Sequence, residues 1–111
     1  MPHPRQSQRY RTSVVLDFGT EESRTTGMTW DVSNGGMFIR TSRMPQVGQT
    51  LLVVLRLPGG RQVRLRCEVV RVFHPPEIRR GALPAGFAVA ITQGDGYKQF
   101  IESLSMTPGL S

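Results

Sequence analysis

Apolar and polar positions alternate along most of this chain. Residues 61–73, RQVRLRCEVVRVF, carry the clearest case: Val63, Leu65, Cys67 and Val69 are apolar, while Arg64, Arg66 and Glu68 between them are polar. A period of two places the two sets on opposite faces of a strand, so the segment predicts a half-buried strand. The pattern blurs at Val69-Val70, where a β-bulge fits. Shorter runs predict strands at 13–18, 24–33, 37–41, 51–57 and 86–92. In 24–33, Met28 and Trp30 fall on one face and are expected to face the core. In 86–92, Phe87, Val89 and Ile91 share a side. The turns between runs carry Pro58-Gly59-Gly60 and Asn34-Gly35-Gly36. Glycine and asparagine tolerate positive φ and favour such turns.

The period changes near the end. Tyr97, Phe100, Ile101 and Leu104 are spaced i, i+3, i+4, i+7, which is one face of a helix over about 95–106. Asp95 is placed to cap its start and Pro108-Gly109 to stop it. Six short strands and one terminal helix, with no βαβ alternation, predict an all-β fold. A closed or nearly closed antiparallel barrel removes the exposed strand edges. Residues 1–12 are polar, basic and proline-containing, and read as a flexible arm ahead of a domain at 13–107.

The chain has 111 residues, which suits one domain with a modest core. Its formal net charge is +6, and all 14 basic residues except Lys98 are arginine. Such a balance favours anionic partners. Arginine in particular pairs with phosphate or a guanine edge through a planar fork. The single cysteine, Cys67, excludes a disulfide within the chain and is expected to be a small buried hydrophobe. No secretory signal or membrane-spanning run is visible, so a cytoplasmic protein is expected. His3 and His74 lack metal-ligand spacing, and no nucleophile stands beside a base, so neither a metal site nor an enzyme is expected.

Two short patterns remain. Arg5 and Arg9 form RxxxR within RQSQR on the arm, and Asp31, Ser33 and Gly36 form DxSxxG within DVSNGG. With GMFIRT, CEVVRV and GFAVAI around them, they resemble the PilZ domain family of bacterial cyclic di-GMP receptors. The resemblance runs from about Arg5 into the terminal helix. It implies a six-stranded antiparallel barrel with a C-terminal α-helix. It also implies that Arg5 and Arg9 bind guanine and phosphate from the arm, that Asp31 holds a guanine edge, and that Ser33 and Gly36 line the floor. Asn34, Gly35 and Arg71 are further lining positions. Pro4 stands where an arginine tends to accompany two stacked ligands in the family, which implies one ligand per chain.

The chemistry suits those roles. Guanine offers O6 and N7 acceptors to an arginine fork and N–H donors to a carboxylate. A hydroxyl and backbone N–H groups at a tight turn suit a phosphate oxygen. The expected function is a cyclic di-GMP receptor, without cofactor, whose ligand orders the arm and changes the surface offered to a partner protein. The alternative is a PilZ-like adaptor for motility or pilus assemblies that does not bind the nucleotide. Nucleic-acid binding ranks last, because aromatic residues are only 7% of the chain and offer few platforms for successive bases. Against each functional role stands a local one. Asp31 and Ser33 suit turn hydrogen bonds, and Gly36 suits a positive φ.

Overall fold

A computed structural model describes residues 8–75 and 84–105. The strands are β1 (Val15–Gly19), β2 (Arg24–Val32), β3 (Gly36–Arg40), β4 (Thr50–Arg56), β5 (Gln62–Phe73) and β6 (Gly86–Gln93), followed by helix α1 (Tyr97–Ser105). They close into an antiparallel barrel in the order β1-β2-β3-β6-β5-β4. Every strand therefore has two neighbours, and none is left as an unpaired edge. The β1–β4 and β3–β6 pairings join strands that are not consecutive in sequence.

The barrel interior is filled from alternate positions, as the period of two requires. Val63, Leu65, Cys67 and Val69 of β5 meet Phe87 and Val89 of β6, Leu16 and Phe18 of β1, and Val53 and Leu55 of β4. Phe18 and Phe87 pack edge to face with ring centroids 5.0 Å apart. Between β4 and β5, glycine is required for conformation: Gly59 and Gly60 both have φ near +80°.

Helix α1 closes the end of the barrel where β2 finishes and β3 begins. Tyr97, Phe100 and Ile101 join the core, and Leu104 packs at its margin. A helix of this length is marginal alone in water. Burying each large side chain contributes about 1.5–3 kcal/mol, so packing holds it in place. Gly96, with φ +90°, stands at the head of the helix, and its carbonyl accepts the Phe100 N–H at 3.1 Å. Asp95 therefore lies one residue ahead of the capping position expected for it.

Register is shifted at several points. In β2, Thr29 pairs with Ile39 but Asp31 pairs with Phe38, leaving Trp30 as an extra residue. In β5, Val69 pairs with Val89 but Arg71 pairs with Ala88, leaving Val70 extra. The second bulge agrees with the blurred alternation at Val69-Val70. The first corrects the expected face of β2. The inward residues are Gly27, Thr29 and Val32, while Met28 and Trp30 face outward. A Cβ on Gly27 would meet Ile39 and Phe18 of the core, and Thr29 is fully buried. Trp30 is half-buried on the outer surface beneath the Arg11 guanidinium.

Candidate functional site

The segment expected as an arm is described from Gln8 onward, and there it lies beside β2. Tyr10 and Val32 exchange two backbone hydrogen bonds, at 2.7 and 2.9 Å. The Val14 N–H donates to Thr29 Oγ1 at 2.9 Å, and the Thr29 hydroxyl donates to the Thr12 carbonyl. A buried hydroxyl thus ties the root of this segment to the barrel wall. The tether brings Arg9 to Asp31, with Nη2 at 2.8 Å from Oδ1. Arg5 lies outside the described residues.

The two bulges decide which charged groups share this face. Inward positions on β2 run Gly27, Thr29, so an unbroken alternation would turn Asp31 into the core. On β5 they run Cys67, Val69, so Arg71 would also turn inward. One extra residue just before each reverses its direction. Asp31, Phe38, Ala88 and Arg71 then stand in register across β2, β3, β6 and β5. A carboxylate and a guanidinium flank an outer floor made by Phe38 of β3 and the small residues Ala88 and Ala90 of β6. Arg9, Ser33, Gly35, Gly36, Arg71 and Ala88 border a shallow depression of about 460 Å³ on this surface.

The loop between β2 and β3 is built for rigidity. The Ser33 N–H donates to the Gly36 carbonyl at 2.9 Å, and the Ser33 hydroxyl points to the same oxygen at 3.3 Å. Ser33 is only 4% exposed. Its hydroxyl hydrogen is thus engaged within the turn. From α1, the Tyr97 hydroxyl reaches the Ser33 carbonyl at 2.6 Å and the Gly36 carbonyl at 3.2 Å. Burial pushes the Tyr97 phenol pKa upward, keeping it a neutral donor. Helical spacing alone assigns Tyr97 to the packing stripe and misses this second role. The signal for it is that a tyrosine opens a stripe otherwise made of Phe, Ile and Leu, and a buried phenol needs a partner.

Neither Asn34, Gly35 nor Gly36 has a positive φ, contrary to the usual reason for such residues in a turn. Gly36 is required for another reason. A Cβ there would lie 2.2 Å from the Val89 carbonyl oxygen of β6, so a side chain would push the two strands apart. Gly35 meets nothing within 4 Å, and its open side faces outward with Asn34.

Arg9 is 54% exposed and Asp31 20%, measured on their side chains. An ion pair in such a setting contributes about 0.2–1 kcal/mol. A ligand offering phosphate to the guanidinium and N–H donors to the carboxylate can therefore replace it at small cost.

The chain matches the family model described as PilZ domain over residues 3–102. It is 37% identical over 81 residues to the serine/threonine-protein kinase Pkn1 of Myxococcus xanthus, a stretch covering 72% of this chain and 11% of the kinase. Among solved structures it resembles the Bacillus subtilis inhibitor of motility MotI/DgrA, with a TM-score of 0.75 and 20% identity, over 98% of this chain and 53% of that one. It also resembles the PilZ domain of CeSA from a cellulose-synthesizing bacterium, with a TM-score of 0.59 and 16% identity, over 87% and 93% of the two chains. The chain thus spans about a tenth of the kinase and about half of MotI/DgrA.

Proposed function

The chain belongs to the PilZ domain family, and we propose that it is a cyclic di-GMP receptor acting through a partner protein. The observation that carries this reading is the meeting of Arg9 with Asp31, on the rung that also presents Arg71. Arg9 comes from RxxxR and Asp31 from DxSxxG, so the fold brings together residues 22 positions apart. Each can exchange the other for a nucleotide group: phosphate or the O6/N7 edge for Arg9, and the guanine N–H donors for Asp31. Arg71 supplies a second cation across the floor formed by Phe38 and Ala88, as an extended dianion needs. Gly35 borders the depression, and Asn34 beside it is exposed. Arg5, four residues ahead of Arg9, completes the set on the same segment.

Ser33 and Gly36 border the depression and also support it structurally. They shape the loop that follows Asp31 and hold β3 against β6. The ligand changes the surface offered to a partner by exchanging the Arg9–Asp31 pair for its own contacts, which repositions the segment around Tyr10. A shift of this kind is limited by the difference in affinity between the two arrangements.

A second reading is a protein-contact adaptor for a motility or pilus assembly that does not bind the nucleotide. It is favoured by one observation: Ser33 and Gly36 are already required by the fold itself. Calorimetric titration of cyclic di-GMP into the wild type and Arg9→Ala separates the two. Saturable binding that weakens by about 1–3 kcal/mol in the variant supports the receptor. An intact wild type without binding leaves the adaptor.

A further inference from the structure

Trp30 has no part in the site described above, yet it stands at its edge. The bulge in β2 sends two successive side chains, Trp30 and Asp31, to the outer face. The indole is half-buried, lies outside the core cluster and is flanked by cations. The Arg11 guanidinium carbon is 3.8 Å from the ring centroid and that of Arg40 is 5.8 Å away. The shorter distance is a stacking distance, so a planar group fits against this ring.

We propose that Trp30 is a stacking platform for one guanine of the ligand. The inference rests on the receptor reading and adds an affinity-determining residue to it. A carboxylate that holds the N–H edge of a base fixes the base in its own plane, and leaves its face needing a partner. Trp30, adjacent in the chain and on the same side, supplies that partner. Base stacking tolerates any nucleobase, while the edge contact of Asp31 selects guanine, so the two side chains divide affinity and selectivity between them. The base takes the place now filled by Arg11. The ring stays covered, and the displaced guanidinium becomes available to a ligand phosphate, beside Arg40. The bulge is thus used twice: it turns Asp31 out of the core and sets an aromatic face next to it.

Trp30 is the only tryptophan, so its emission reports on this position alone. Wild-type protein is titrated with cyclic di-GMP by calorimetry and by intrinsic fluorescence, alongside Trp30→Ala and Trp30→Phe. The expected result is a change in emission that follows the calorimetric isotherm. Trp30→Ala is expected to bind roughly 5- to 150-fold more weakly, from the usual range for one stacked base. Trp30→Phe is expected to recover most of that loss. Unchanged emission at saturation, or Trp30→Ala binding within about twofold of wild type, would overturn the proposal and leave the receptor reading standing. A folded wild type that binds no cyclic di-GMP in the calorimeter overturns both. The emission titration needs no variant, so unchanged emission overturns the proposal even where Trp30→Ala folds poorly; a change in emission supports it only together with the affinity loss, because movement of Arg11 off the ring also alters emission.

Discussion

The Tyr97 hydroxyl donates to the Ser33 carbonyl at 2.6 Å, joining the C-terminal helix to the loop between β2 and β3. The two residues are 64 positions apart, and both are buried. The same hydroxyl lies 3.2 Å from the Gly36 carbonyl, so one phenol braces both ends of the loop. Tyr97→Phe keeps the ring and removes the brace. A buried carbonyl left without its donor costs about 1–3 kcal/mol. Urea unfolding is expected to show a lower midpoint with an unchanged slope. Equal midpoints would mean that the loop does not depend on the helix.

Gly35 and Gly36 are adjacent, yet their substitution by alanine is expected to differ. Gly36→Ala forces a Cβ against the Val89 carbonyl and is expected to destabilise the barrel by about 1–3 kcal/mol through overpacking. Gly35→Ala meets open space, so its effect is expected within about 0.5 kcal/mol. Thermal unfolding of the two variants checks the contrast. Similar behaviour would show that the strands adjust around a side chain at Gly36.

Thr29→Val tests how the segment before β1 is held. The change preserves shape but removes the hydroxyl that accepts from the Val14 N–H and donates to the Thr12 carbonyl. A loss of about 1–3 kcal/mol is expected, because buried polar partners are left behind. Faster hydrogen exchange at the Val14 amide is expected with it. Protection equal to wild type at Val14 would place the anchor elsewhere.

Stability should fall at alkaline pH. Burial raises the Cys67 thiol from its ordinary value of 9.0 to about 12. Above pH 9 the unfolded chain releases this proton while the folded chain keeps it, so the unfolded state binds fewer protons and stability declines as pH rises. The slope approaches about 1.4 kcal/mol per pH unit for one group until the folded value is passed. The raised Tyr97 phenol adds to the same trend once the unfolded tyrosine titrates. Denaturant midpoints from about pH 8 to 11 in wild type and Cys67→Ala measure the Cys67 share. Parallel profiles would remove the thiol from the account.

Arg71→Ala isolates the far side of the rung. The residue is exposed and lies outside the core cluster, so stability is expected within about 0.5 kcal/mol of wild type. Cyclic di-GMP binding is expected to weaken by about 1–3 kcal/mol, as for loss of a charge-assisted contact. Undiminished affinity in calorimetry would place Arg71 outside the ligand's reach.

Much of the fold is legible in the chain. Alternation in β5 and β6 identifies the inward residues, and the spacing of Tyr97, Phe100, Ile101 and Leu104 identifies the buried face of the helix. The misreading of Trp30 has a clear cause. Met28 and Trp30 alternate with threonines, and larger apolar residues normally mark the inner face. Here Gly27 and Thr29 face inward, because Ile39 and Phe18 already crowd that wall. Trp30 carries no local signal of a bulge, unlike the paired valines at 69 and 70.

Read alone, the chain specifies the strand and helix segments, most of the core, and the two short patterns that mark the family. Local periodicity suffices for these, because each depends on neighbours in the chain. Packing between distant segments sets the rest. It selects which strands close the barrel, turns Asp31 and Arg71 onto one face through the bulges, and brings Tyr97 to brace the loop at Ser33. None of these follows from local spacing, because a shift of one residue in register reverses the direction of every side chain beyond it.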